Sequence, residues 1–150
     1  MIRVWHQGDD AAPPVEAASF NVVGDKLNQV ALFPDGQRMA IAANSSLSLW
    51  SLQDDKPTQL WHKNINIGCK SVAFSPDGRQ LAASCFGSGV PHGVRLFNAA
   101  GEPQTQWEFP MSPADLAFAP DGRHLLTANT NGTVYILRLK DAAKPSQPVK

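Results

Sequence analysis

Several things are scarce in this sequence, and each scarcity excludes something. Of its 150 residues only two are cysteines, Cys69 and Cys85, so no disulfide framework holds it together. No apolar run approaches the roughly 18 residues of a membrane span. The opening, Met1-Ile-Arg-Val-Trp-His6, lacks the apolar region of a secretory signal. Charge of one sign is missing too: 13 basic residues balance 13 acidic ones. A neutral total argues against a strongly basic nucleic-acid binder and against a polybasic membrane clamp. No helical period of useful length runs through the chain. What it does have is 43% hydrophobic residues, enough for a packed core, at a length that fits one domain.

A triplet recurs. Pro34-Asp35-Gly36, Pro76-Asp77-Gly78 and Pro120-Asp121-Gly122 stand 42 and 44 residues apart. Chance supplies such a triplet only about a few hundredths of a time in a chain this long. Its reading is mechanical. Proline presets the first corner of a turn, aspartate bonds its own backbone, and glycine supplies the permissive exit. The flanks repeat as well: Val30-Ala31-Leu32-Phe33, Val72-Ala73-Phe74-Ser75 and Leu116-Ala117-Phe118-Ala119. Large and small residues alternate, as in a strand buried on both faces and closely approached on one. A second apolar strand follows each triplet (39–43, 81–85, 125–128), so each triplet closes a β-hairpin. A third strand follows (47–52, 94–97, 133–139), ending near Trp50, Phe97 and Leu137. Polar, proline-closed connections lead to a fourth strand with one aromatic: Trp61, Trp107 and, by analogy, Phe20. Four short antiparallel strands per unit make one blade of a β-propeller.

The set VALFPDG at 30–36, VAFSPDG at 72–78 and LAFAPDG at 116–122 resembles the WD40-repeat family. So do the third strands Ile2-Arg3-Val4-Trp5, Leu47-Ser48-Leu49-Trp50 and Val94-Arg95-Leu96-Phe97, and the turn Asn131-Gly132-Thr133-Val134. The resemblance covers roughly residues 2 to 139 and is degenerate. The family's Gly-His pair is absent, and the aspartate after the tryptophan is replaced by His6, Ser51 and Asn98. The family's buried His–Ser–Asp–Trp network therefore cannot form in full, and blade packing rests mainly on apolar burial. The resemblance implies an all-β fold of propeller blades, each of four antiparallel strands. A blade remnant at 2–23, full blades at 28–66 and 69–110, and a partial blade at 114–139 are expected, with a flexible tail at 140–150. That is about three and a half blades of an incomplete ring, where closure needs four to eight.

In this family the last blade often lacks its fourth strand because the chain's beginning supplies it. The register therefore reads as the C-terminal portion of a larger, bacterial-like propeller protein. The alternative is closure by two copies, residues 15–23 of one completing the last blade of the other. That would give a six-bladed ring with residues 2–6 left over.

No catalytic chemistry is legible. His6, His62, His92 and His124 are scattered without metal-ligand spacing, and Cys69 and Cys85 are 16 apart in sequence. These thiols read as small buried apolar residues, suited to a reducing, cytoplasmic setting. Asp9-Asp10 and Asp54-Asp55 read as solvated loop charges rather than the facing carboxylates of a glycosidase. Gly87-Ser88-Gly89 lacks the Gly-Lys-Ser/Thr of a phosphate loop. The tryptophans fall at repeat positions and read as blade packing rather than stacking platforms. No cofactor and no metal are expected.

One segment breaks the repeat. From the triplet's proline to the end of the third strand the offsets are 16, 21 and 17, so the middle unit carries an insertion within 86–93. Insertions in repeat proteins map to loops on one face, often the binding face. Phe86, Pro91 and His92 are the candidate partner contacts, against the reading of a tolerated loop extension. The resemblance implies a non-enzymatic scaffold for protein partners, with no nucleic acid and no membrane. Missing blades or a second copy are the other partners. Two further readings stay open: a regulatory propeller behind a larger enzyme such as a bacterial serine/threonine kinase, and a propeller hydrolase or lyase.

Overall fold

The structure is a computed structural model. It describes residues 1–7, 12–22, 26–54, 56–65, 68–87 and 89–139. Asp9, Asp10, Asp55, Ser88 and the expected tail at 140–150 lie outside the described residues.

Among the described residues thirteen strands form four antiparallel sheets, and within each sheet every strand pairs with its neighbour in sequence. The first sheet holds β1 (Ile2–His6) and β2 (Val15–Phe20). The second holds β3 (Leu27–Leu32), β4 (Arg38–Ala43), β5 (Ser46–Ser51) and β6 (Thr58–Asn64). The third holds β7 (Gly68–Phe74), β8 (Gln80–Phe86), β9 (His92–Asn98) and β10 (Pro103–Phe109). The last has three strands, β11 (Pro113–Phe118), β12 (His124–Asn129) and β13 (Val134–Arg138). The expected counts and order of strands are met. β9 begins two residues earlier than the sequence indicated, which puts His92 in the ladder opposite Phe109 rather than in the loop.

The triplets work as the turn chemistry requires. In each, the aspartate Oδ1 accepts the N–H two residues on: from Gln37 at 2.8 Å, Arg79 at 3.1 Å and Arg123 at 2.8 Å. Each glycine sits at φ of 64 to 70°, the left-handed region where a side chain is strained. The bonds favour the ionised carboxylate. Asp77 is held below the usual range mainly by the Ser75 hydroxyl, and Asp121 mainly by the Arg123 N–H.

The sheets stack face to face along an open arc, with β3, β7 and β11 adjoining on its inner side. Between the second and third sheets lie Ala40, Ala42, Leu47 and Leu49 on one side and Cys69, Val72, Leu81, Ala83 and Phe97 on the other. Small residues on the inner strands let the sheets approach, and large ones fill the wider outer part. Leu96 and Val94 meet Leu116, Leu125 and Leu139 between the third and last sheets. Met39, Ile41 and Trp50 are covered by Ile2 and Phe20 of the first sheet, the Phe20 and Trp50 rings lying 4.6 Å apart. Trp50 Nε1 donates to Ser48 Oγ at 3.0 Å, a buried bond that satisfies the indole where the family's larger network is absent.

Burial on both faces, expected of all three inner strands, is met by β7 alone. Val30 and Leu32 are 50% and 60% exposed, because the first sheet has no inner strands to cover them. On the last sheet Val134 and Ile136 point away from the third sheet and are 62% and 67% exposed.

Candidate functional site

Each inner strand carries a β-bulge at the same place. It falls between Leu27 and Gln29, between Cys69 and Val72, and between Pro113 and Asp115, starting seven residues before each triplet's proline. A bulge bends the strand and re-aims a side chain. Here the re-aimed residues are Gln29, Ser71 and Asp115, all five positions before a proline.

They join across the sheets. Gln29 Oε1 accepts the Val72 N–H at 2.6 Å, and its Nε2 donates to Asp115 Oδ1 at 3.4 Å. Ser71 Oγ donates to Asp115 Oδ1 at 2.7 Å and accepts the Leu116 N–H at 3.1 Å. Beside them Asn28 Nδ2 donates to the Cys69 carbonyl at 2.7 Å. Bulged strands leave backbone donors and acceptors unpaired, and these side chains satisfy them. The Asp115 carboxyl is held below its usual range, first by the Ser71 hydroxyl and further by the Leu116 N–H and Gln29. Sequence reasoning missed this seam because it read the inner strands for apolar alternation alone. The signal was available: three polar residues at one offset from the triplet.

The two thiols are neighbours in space. Sixteen residues apart in sequence, Cys69 and Cys85 stand directly opposite each other on β7 and β8. Both are free and buried. Burial pushes Cys85 up to about 11, and burial, with Cys85 adding to it, pushes Cys69 further still. Neither is a thiolate near neutral pH, so they pack as apolar groups. Among the described residues no group of three or more His, Cys, Asp or Glu is placed to hold a metal ion. Among them, too, no helix is long and apolar enough to cross a membrane.

The insertion lies on the face of the arc opposite the triplet turns. Phe86 closes β8 with its ring over Gly68, where a Cβ would overlap it, and with Lys70 Nζ 4.7 Å from its centroid. Pro91 is exposed and His92 half-buried. Both line a cavity of about 60 Å³ with Cys85, Gln106 and Glu108. His92 Nδ1 is buried without a hydrogen-bond partner among the described residues. The structure brings Pro91 and His92 together at this cavity, and turns Phe86 to the neighbouring strand β7.

Two segments match a family model, the "WD domain, G-beta repeat", at residues 58–90 and 111–137. The first covers β6 to β8 and the second covers β11 to β13. The chain carries WD40 repeats in these two stretches. The "Protein LST8 homolog" of Drosophila melanogaster is 29% identical over 95% of this chain and 46% of its own length. The human "Lysosomal-trafficking regulator" is 33% identical over 70% of the chain, which is 3% of that protein. The beta-propeller domain of Myceliophteria thermophila Cps50 (Swd1) superposes with a TM-score of 0.72 at 15% identity, covering 83% of this chain and 44% of that one. That likeness shows a propeller fold. The WD40 chain thus spans less than half the length of these relatives.

Proposed function

We propose that this WD40 chain is a non-catalytic scaffold that holds protein partners, and that Phe86, Pro91 and His92 form a contact surface for one of them. One contrast carries the reading. The polar side chains of the inner strands are consumed in joining sheets, whereas His92 Nδ1 is buried beside an exposed proline with no partner among the described residues. A buried polar atom without a partner costs about 1–3 kcal/mol, a cost that a donor or acceptor from a docked chain removes. The β8–β9 connection is longer than those at β4–β5 and β12–β13, and insertions in repeat proteins often mark a binding face, which supports the reading. The likeness to scaffold-type propeller proteins supports the same class. Two buried thiols in a chain of balanced charge support a reducing, cytoplasmic site, with neither nucleic acid nor membrane as partner.

A photo-crosslinking residue at position 91 tests the reading, with exposed position 79, at the opposite turn of the same sheet, as control. The expected result is a discrete protein adduct at 91, absent at 79 and lost on His92→Ala. Equal labelling at both positions, or none at 91, would sink it.

A further inference from the structure

The arc has two vacancies, and they are complementary. Among the described residues the first sheet contains only a third and a fourth strand, and Val30 and Leu32 on the second sheet are left exposed. The last sheet contains only a first, second and third strand, so the outer edge of β13 has no partner among the described residues. Beside that edge a groove of about 490 Å³ is lined by Leu96, Thr105, Trp107, Arg138 and Leu139. Where one end lacks inner strands, the other end has them.

The exposed face of the last sheet also has the right pattern. Ala117, Leu126, Ala128, Val134 and Ile136 stand at the repeat positions of Ala31, Ala40, Ala42, Leu47 and Leu49. On the second sheet those five residues pack against the third. In turn Val30, Leu32, Met39, Ile41 and Trp50 stand at the positions of Val72, Phe74, Leu81, Ala83 and Phe97, the surface that they meet. The last sheet thus presents one half of a sheet-to-sheet joint, and the back of the second sheet presents the other.

We propose that two copies of this chain close into one six-bladed ring, the last sheet of each seated on the second sheet of the other. β2 stays where it is, with Phe20 on Trp50, and becomes the fourth strand of the partner's last sheet. β13 of the partner takes the place of β1. Val134 and Ile136 stand at the positions of Ile2 and Val4, so the two strands compete for one slot. β1 is weakly held there. Trp5 is 53% exposed, and the strand's ion pair, Arg3 with Glu16 at 3.7 Å, is exposed and worth little. The exchange buries both apolar faces and the free edge of β13 at once, the usual remedy for such surfaces. Six blades lie inside the range that closes. A chain of zero net charge meets no overall repulsion in pairing with itself. The inference does not rest on the partner-binding reading.

Sedimentation of the full chain tests it, with two variants. The wild-type chain should run as a discrete species of twice 16.2 kDa. Leu32→Asp, at a position exposed in one copy, should fold and run at the single mass. Phe33 and Phe74 touch across the second and third sheets at 5.1 Å, so Ala119 of one copy and Leu32 of the other should touch across the joint. The double variant Leu32→Cys with Ala119→Cys should give covalent dimers with a short bismaleimide, and neither single variant should. Three results would each overturn the proposal: a wild-type monomer at tens of micromolar, a ladder beyond the dimer, or a dimer whose double variant fails to crosslink. A monomer would leave the scaffold reading untouched, because that is tested at position 91.

Discussion

The strands β3 and β7 are near-copies with opposite fates. Val30-Ala31-Leu32 and Val72-Ala73-Phe74 occupy the same place in their repeats, yet Val72 is 3% exposed and Val30 50%. The strand's own residues do not decide this. β7 has a full sheet on one side and the inner strands of another on its far side, whereas β3 has a full sheet on its forward side and only the outer pair β1 and β2 behind it. A blade's sequence therefore encodes a demand for burial, and the neighbours determine whether it is met. The third sheet, enclosed on both faces, should carry most of the stability of the chain, and the end sheets little.

Four substitutions sharpen or break that contrast. Leu81→Ala, in the fully packed joint behind the third sheet, should cost about 2–5 kcal/mol in denaturant unfolding. A loss below about 1 kcal/mol would show that the third sheet is not the stable centre. Next comes Gly93→Ala. A Cβ there would overlap the carbonyl oxygen of Trp107, which is backbone and cannot swing aside, so β10 must shift at a cost of about 1–3 kcal/mol. Melting temperature reads this directly. Ser71→Ala should cost about 1–2 kcal/mol by removing a charge-assisted bond between the third and last sheets. The same change alters the acid limb. Asp115 is held below its unfolded value, so its contribution is present above the unfolded carboxylate range and is lost as pH falls through the folded pKa. Wild-type stability should thus decline below about pH 4, and that decline should be shallower in Ser71→Ala. If the two acid limbs superpose, Asp115 is not coupled to Ser71. The smallest effect is expected of Leu32→Ala, within about 0.5 kcal/mol where the chain is dilute enough to be single, and larger where it is not.

Much of the fold was legible because turns punctuate it. The three Pro-Asp-Gly triplets fixed three hairpins, and the third-strand residues Trp5, Trp50, Phe97 and Leu137 fixed the phase of the rest. Even the two-stranded first sheet and the three-stranded last one followed from counting. The site was less legible, and the bulges explain why. Counting outward from the turn at Pro76-Asp77-Gly78 pairs Phe74 with Leu81 and Val72 with Ala83, and would then set Cys69 opposite Phe86. One extra residue in β7 sets Cys69 opposite Cys85 instead. Alternation likewise gives no warning that Gln29, Ser71 and Asp115 turn toward the next sheet. The candidate contact at Phe86, Pro91 and His92 was found as a departure in length, which a sequence shows well. The division of labour within it, with Phe86 laid on Gly68 and His92 held in the ladder, depends on contacts that a sequence does not show.

The repeated bulge separates aim from chemistry. Because the kink in the main chain aims these three positions inward, each can carry a different polar side chain while the strands stay put. A glutamine, a serine and an aspartate already stand in equivalent slots. The row behaves as a keyboard with fixed keys and changeable lettering, and a designer wishing to install new chemistry on the axis of such a protein would begin at 29, 71 and 115.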